Sequence, residues 1–497
     1  MHADPSNPPA PESDHLYEKV ADKIAQLIAQ GDLRAGERIP SVRRMSSQQG
    51  VSIATVLQAY LVLENRGMIA ARPKSGYYVQ PRRRVFPPEP AMSKPAPTAT
   101  LVGMSGLMGR LIEAVNDPAI LPMGAACPSP QLLPTQKLNR ILASLSRQAG
   151  NDAVEYDMPP GCPALRRQVA RRSLDWGCSL SSDDIVTTTG GMEAINLCLR
   201  AVAGPGDTIA LESPTYFGIL QSIESLGMKA LELPSHPRTG VCLETLEGEL
   251  KRQKISAVLS VTNFNNPLGS CMPDNHKKQL TELLARAEVP LIEDDIYGDL
   301  AHHGPRPKVA RAWDRQGLVL LCGSYSKTLA PGYRVGWVAP GPRFLQKVKH
   351  LKYTSTVASA SLPQMAVAEF LQNGGYDHHV RTLRATYGEQ VNRMCEAIGE
   401  HFPSGTRVTR PAGGFVLWVE LPKSVNSLQL QDDAMRHRIS IAPGPLFSCQ
   451  QRYTNFVRLS CGHPWSPRME QGIETLGRLA QEQLDSRARA GAGAAAA

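Results

Sequence analysis

The sequence predicts a multidomain protein of two bodies. A small N-terminal winged helix-turn-helix of α+β type precedes a much larger α/β body built on a mainly parallel sheet. Three observations predict it. Residues 16–80 read as three helices and a hairpin, residues 81–97 are rich in proline, and from residue 104 short β-rich runs alternate with helical stretches. The 497 residues are ample for several cores, and with 42% hydrophobic and 20% charged residues the chain is not of the disordered type.

In the first helix Leu16, Val20, Ile24, Leu27 and Ile28 recur at helical spacing and define one apolar face, which Gly31 ends. Ser41, after Pro40, is the expected N-cap of a short second helix carrying Val42 and Met45, closed by Gly50. Ser52 caps a third helix that turns Val56, Tyr60, Leu61 and Leu63 inward and stops near Arg66 and Gly67. Extended segments at 68–72 and 76–79 surround a turn at Pro73 to Gly76. In such a module the second helix of the pair enters a major groove, while the wing and flanking basic residues grip phosphates. Charge points the same way. The chain carries a net +9, and residues 33–84 hold ten Lys or Arg against two Glu. Composition alone leaves a solvated surface open; the order of elements decides for a polyanion partner.

The linker follows. Pro81, Pro87, Pro88, Pro90, Pro95 and Pro97, interrupted only by short runs that include Arg82 to Arg84, favour an extended spacer at roughly 3.1 Å per residue. The three arginines either extend the phosphate footprint or keep the spacer soluble. The C-terminal ARAGAGAAAA stretch reads as a frayed, low-complexity tail. The expected divisions are therefore 1–80, 81–103, 104–485 and 486–497.

Several classes are excluded. Ten scattered cysteines with no C-x-x-C pair argue against a disulfide framework or a zinc knuckle. Neither His302-His303 nor His378-His379 falls in a ligand pattern, so no metal is expected. No apolar run approaches the ~18 residues that cross a bilayer, and the start lacks the basic and apolar regions of a secretory signal. A cytoplasmic protein with no membrane partner is expected.

In the large body, β-rich runs at 185–189, 208–211, 257–261, 290–293 and 318–323 are each followed by residues able to do chemistry. Parallel sheets place ligands beyond the carboxyl ends of their strands. Lys327, in the Ser/Gly-rich turn Gly323-Ser-Tyr-Ser-Lys, is placed to enter a cleft, as a lysine forming a Schiff base must be. Asp294 could hold a pyridine nitrogen protonated, and Tyr297 could hydrogen-bond a phenolate oxygen. Thr189-Gly190-Gly191 lies between a strand and a helix start, the setting of a phosphate cup. Asn266 offers an amide donor and Tyr216 a ring face. Singly, each has a bland reading as a turn, a satisfied carboxylate or a core ring. Their order and spacing favour one site.

Two resemblances make this specific. The stretch GDLRAGERIPSVRRMSSQQGVSIATVLQAYLVLENRGMIAARPKSGYYV resembles the GntR family of DNA-binding domains. That resemblance implies that Arg38, Arg43 and Arg44 touch the DNA backbone or groove edge. It puts Ser52 and Thr55 at the start of the recognition helix and Lys74 to Gly76 at the wing tip. Ile53 and Leu57 stand where many members carry arginine, which leaves base reading to Ser52, Ala54, Thr55 and Gln58. Residues 104–485 are similar to fold-type I, class I and II aminotransferases dependent on pyridoxal 5′-phosphate. The similarity implies that Lys327 forms the internal aldimine, Asp294 pairs with the pyridinium nitrogen, Tyr297 and Asn266 bond the ring O3′, and Tyr216 stacks on the ring. Thr189, Gly190, Gly191, Ser324 and Arg334 would hold the phosphate. Tyr156 would reach the phosphate of a partner subunit, and Arg458 would bind a substrate carboxylate. Gly191 replaces a commoner Ser or Thr, and Leu268 the Thr of Asn-Pro-Thr-Gly.

The fusion of the two resembles the MocR/GabR subfamily of transcription regulators. That implies a head-to-tail homodimer that binds an operator in double-stranded DNA and senses pyridoxal phosphate and an amino-compound effector through an aldimine at Lys327. A working aminotransferase with an accessory DNA-binding domain stays open, because Lys327, Asp294 and Arg458 serve sensing and turnover alike. A regulator answering to the vitamer alone is disfavoured by Arg458, whose carboxylate clamp would have no ligand.

Overall fold

The computed structural model describes residues 16–30, 32–72, 75–80, 86–103 and 117–496, and the chain divides after Val85 into two compact units. The first unit holds α1 (Leu16–Gln30), α2 (Val42–Gln49) and α3 (Ile53–Asn65), then the antiparallel hairpin of β1 (Ile69–Arg72) and β2 (Gly76–Val79). The hydroxyls of Ser41 and Ser52 cap α2 and α3, accepting from the amides of Arg44 and Thr55. Between them Gly50 takes a left-handed φ of 66°, which reverses the chain without the steric cost of a Cβ. Val20, Ala21, Ile24, Val56, Tyr60 and Leu63 join Ile69 and Val79 in one core, and the Tyr60 hydroxyl donates to the Pro40 carbonyl at 2.6 Å.

Two residues expected inside are not. Leu16 is 54% and Leu61 47% exposed. In α3 the buried positions are Val56, Ala59, Tyr60 and Leu63, and at 3.6 residues per turn Leu61 falls on the other side. Pro73 and Lys74 of the expected wing tip, and Arg82 to Arg84 of the expected linker, lie outside the described residues.

In the second unit the main sheet is built from β3 (Thr100–Leu101), β4 (Val186–Thr188), β5 (Thr208–Ser213), β6 (Lys229–His236), β7 (Ala257–Ser260), β8 (Leu291–Asp294), β9 (Val319–Ser324) and β10 (Gly336–Ala339). They lie in the order β3-β6-β5-β7-β8-β9-β10-β4. From β6 to β9 the pairing is parallel; β10 is antiparallel to both neighbours, and β3 to β6. Apolar runs such as Val319 to Cys322 are buried throughout, as strands covered on both faces must be. Helix α4 (Gly191–Val202) packs across β8, β9 and β10.

A smaller antiparallel sheet follows, of β11 (Arg407–Val408), β12 (Val416–Glu420), β13 (Ala442–Pro443) and β14 (Phe456–Ser460), in the order β11-β12-β14-β13. With α5 (Tyr376–His401) and α6 (Pro467–Ala496) it forms a second lobe whose core includes Tyr387, Ile398, Phe415, Leu459 and Ile473. Helix α6 runs on through the stretch expected to fray, because alanine is the best helix former.

The largest correction concerns the linker. The sequence suggests a free spacer from 81 to 103 and a second body from 104, but Phe86 to Gly103 already belong to the second unit. The Pro88 carbonyl accepts from the Val408 amide at 2.9 Å, and the Glu89 carboxylate from Arg238 Nε at 2.6 Å. The Ser93 hydroxyl donates to the Ser213 carbonyl at 2.5 Å and accepts from the Ser235 amide at 2.7 Å. Proline lacks an N–H, so the segment has fewer donors for hydrogen bonds within itself. Its carbonyls remain acceptors for the strand edges it crosses.

Candidate functional site

The carboxyl ends of β4, β5, β7, β8 and β9 share one edge of the main sheet, and the loops leaving them face β14 of the smaller lobe. A cavity of about 330 Å³ opens there. Gly191, Tyr216, Asn266, Asp294, Tyr297, Lys327, Arg334 and Arg458 all line it.

Parallel pairing sets the centre. Asp294, the last residue of β8, is the register partner of Cys322 in β9, and Lys327 follows in the turn after β9. The Lys327 amine donates to the Ala126 carbonyl at 2.7 Å. Burial pulls this amine below the usual lysine range; Arg458 and Arg334 act in the same direction, while Cys127 and Asp294 oppose them. Burial, with the Asp295 charge adding to it, pushes the Asp294 carboxyl up to about 7. Glu212, at the end of β5, is held up to about 7 chiefly by burial, against hydrogen bonds from Ser260, Val261 and Asn265. Its bond with Asn265, at 2.8 Å, braces the loop that presents Asn266.

Arg458, on β14, is completely buried. Nη1 donates to Asn266 Oδ1 at 3.2 Å and Nη2 to the Gly124 carbonyl, while Nε has no hydrogen-bond partner among the described residues. A buried guanidinium atom without an acceptor costs free energy unless a ligand supplies one.

At the other end of the cavity, Gly190 adopts a φ of 78°, and a Cβ there would sit 2.4 Å from Arg334 Nη2. Arg334 is itself left-handed, with φ 54°. Its guanidinium reaches Ser326 Oγ at 3.5 Å and the carbonyls of Pro331 and Thr189 at 3.4 Å, all long for hydrogen bonds. Helix α4 begins at Gly191, so its first amides have no intrahelical acceptor. The Thr189 amide donates to Glu193 at 2.6 Å, and Glu193 accepts from Lys352 at 2.7 Å and Thr356 at 2.6 Å. Burial works to raise the Glu193 carboxyl, but those bonds hold it below the usual carboxylate range.

Other expected residues sit elsewhere. Ser324 is beside the cavity, its hydroxyl donating to the Val335 carbonyl at 3.1 Å, and Ser326 lines the wall instead. Tyr156 is 76% exposed and lines a different depression, with Glu155 and Arg167. In the first unit Arg38, Arg43, Arg44, Ser52 and Gln58 are exposed and Thr55 half-buried. Gly76 has φ 106°, and a Cβ there would lie 3.2 Å from Arg38 Nε, so Arg38 runs along the hairpin turn. Sequence reasoning missed Ser326, Cys127, and the pair of Glu193 and Lys352. Ser326 was readable beside Lys327. Cys127 and Lys352 are brought in by folding alone, and no motif marks them.

The family model for aminotransferase class I and II matches residues 131–476, and that for bacterial regulatory proteins of the gntR family matches residues 16–79. The chain is 38% identical over 469 residues to YjiR, an uncharacterised HTH-type transcriptional regulator of Escherichia coli K12, covering 94% of this chain and 99% of that one. A second such regulator of the same organism, YdcR, is 38% identical over 468 residues, with the same coverage of both chains. Among solved structures, the α-aminoadipate aminotransferase LysN of Thermus thermophilus, complexed with N-(5′-phosphopyridoxyl)-L-leucine, matches with a TM-score of 0.70 and 27% identity. The match covers 77% of this chain and 100% of that one.

The raised Asp294 carboxyl predicts a pH dependence. A carboxyl lifted from 3.8 to about 7 contributes stability that is fully present below 3.8 and is lost as pH rises through about 7. Thermal denaturation of the cofactor-free protein across that window should show a fall, to which Glu212, also held up to about 7, contributes, so Asp294→Asn should make the fall shallower without abolishing it. A slope unchanged by the variant would mean that Asp294 contributes nothing to it.

Proposed function

Because the chain belongs to the aminotransferase class I and II family and carries a GntR-type DNA-binding domain ahead of that body, we propose that it is a pyridoxal 5′-phosphate-dependent transcriptional regulator that senses a small amino compound. The aminotransferase fold implies that cofactor, and the cavity fits it. Gly190 leaves open the space beside Arg334 that any Cβ would fill, and the long contacts of Arg334 leave its guanidinium ready for a bidentate hold on a phosphate.

When bound, the cofactor supplies an aldehyde carbon to a primary amine and a pyridine ring that draws electrons from it. Lys327 provides the amine that holds it, kept nucleophilic by burial. Asp294 holds a proton at the ring nitrogen, Tyr297 and Asn266 bond the ring oxygen, and Tyr216 covers the ring. Thr189, Gly190, Gly191 and Arg334 hold the phosphate, with Ser326 rather than Ser324 on the cavity wall. Arg458 receives the carboxylate of the amino compound, which gives its Nε an acceptor.

The observation that carries the sensing role is the course of residues 86–93. Ser93 is bonded to Ser213, three residues before Tyr216, and Pro88 to Val408 in the sheet that bears Arg458. A ligand that changes the spacing between the two lobes therefore acts on a segment that continues directly into the DNA-binding unit. The aminotransferase fold suggests a dimer. A head-to-tail homodimer, in which the exposed Tyr156 reaches the phosphate in the partner subunit, and a cytoplasmic location complete the proposal. Among the described residues no helix is long and apolar enough to cross a membrane.

A second reading, a working aminotransferase, draws on the same observation, because Lys327, Asp294 and Arg458 in one cavity serve turnover as well as sensing. Titrating the cofactor-loaded protein with a panel of amino acids, with and without a 2-oxo acid, separates the two. A visible band that shifts and persists supports the sensor. A band that is lost and then restored by the oxo acid makes the chain an enzyme.

Lys327→Ala should abolish the visible band of the lysine-bound cofactor and the effector-dependent change in DNA affinity. Glu89→Ala with Ser93→Ala should leave the effector's spectral titration unchanged while removing that change; a full DNA response in the double variant would refute coupling through this segment. Gly190→Ala, which forces a Cβ into both a left-handed φ and the Arg334 guanidinium, should weaken cofactor binding roughly tenfold or more. Equilibrium titration followed by absorbance checks it.

A further inference from the structure

Helix α3 carries an exposed apolar stripe. Ile53 is 49%, Leu57 46% and Leu61 47% exposed, at positions i, i+4 and i+8, which share one face of a helix. Ala54 and Gln58 are exposed beside them. From Ile53 to Leu63 the helix contains no charged residue, yet it lies in a basic module whose Arg38, Arg43, Arg44 and Arg72 are all exposed. The stripe is not held for the unit's own core, which Val56, Ala59, Tyr60 and Leu63 complete from the adjoining face of the helix.

What covers such a surface must be anionic at its borders and carry small apolar groups at its centre. Duplex DNA offers both: phosphates along each edge of the major groove, and on its floor the C5-methyl group of every thymine. From Ile53 to Leu57 is about 6 Å of helix rise, close to the span of two base steps. Ser41 and Ser52 cap α2 and α3 rigidly, so the stripe is presented by the helix that a helix-turn-helix inserts into the groove. We propose that Ile53 and Leu57 read thymine methyl groups, so that this protein selects operators by the placement of thymines in the major groove, with Gln58 the neighbouring polar reader. The inference rests on the DNA-binding reading of the first unit and adds how its sequence preference arises.

The test removes the methyl group and nothing else. Duplexes selected from a randomised library by the full-length protein are resynthesised with deoxyuridine in place of each thymine in turn. At one or two positions in each half-site the substitution should weaken binding about fourfold, the effect of withdrawing one buried methyl. That penalty should vanish in Ile53→Ala or Leu57→Ala, while substitutions at other thymines behave as in the parent. Both side chains lie outside the core, so these variants keep their fold. If no deoxyuridine position weakens binding, or if the penalty persists in both variants, the methyl-reading proposal is overturned and DNA binding stands. If the variants instead change the oligomeric state and leave DNA affinity intact, the stripe is a face for a second copy of the chain, and the proposal is equally overturned. Recovery of no duplex at all would overturn the DNA-binding reading and this inference with it.

Discussion

Burying Asp294 and Lys327 at the ends of adjacent parallel strands is the constraint on which the site depends. A carboxyl and an amine taken out of water are both driven toward their neutral forms, and here burial is the largest influence on each. Moving the carboxyl from 3.8 to about 7 corresponds to on the order of 4 kcal/mol held against its ionised form. The folded chain tolerates this because the strands of the main sheet are fixed by packing on both faces. A ligand that brings a cationic ring nitrogen to Asp294 and a carbonyl carbon to Lys327 relieves both. The site is therefore prepared for its ligand by the sheet rather than by the loops.

The rest of the cavity follows the same logic. Arg458 is buried with one nitrogen unpartnered among the described residues, and Arg334 is exposed with only long protein contacts. Two guanidinium groups lining one cavity define two places for anions. Glu193 and Lys352 fix the turn at Thr189 from behind: their ion pair is largely buried, so removing one partner would leave an uncompensated charge. The turn at Thr189 is thus braced by side chains of its own chain.

How much of this was legible depended on whether the deciding interaction was local. Ser41, Gly50 and Ser52 announced their helix boundaries because capping is settled within four residues. The residues after the strands could be read because Lys327, Asp294 and the Thr189 turn each follow a run of buried β-formers. Leu61 was misplaced because an apolar residue on a short amphipathic helix does not say which of two apolar edges faces the core; only the packing of α3 on α1 decides it. Lys352 was silent for a different reason. A lysine inside an unremarkable helix becomes a buried partner of Glu193 only once two distant segments meet.

The proline-rich segment shows where composition misleads. Prolines at 87, 88, 90, 95 and 97 do enforce an extended chain, which is the part that composition determines. Whether an extended chain floats or docks depends on what its carbonyls and few side chains can reach. Here Pro88 meets an open strand edge at Val408, and Glu89 meets the cation of Arg238. Ser93 bonds both Ser213 and Ser235, which sit on neighbouring parallel strands. Extension is what lets eight residues touch both lobes, since a helix of the same length would span less than half the distance. The stiffness that made the segment look like a spacer therefore suits it to couple the lobes. A flexible glycine-rich connection of equal length would take up any change in their spacing without passing it on.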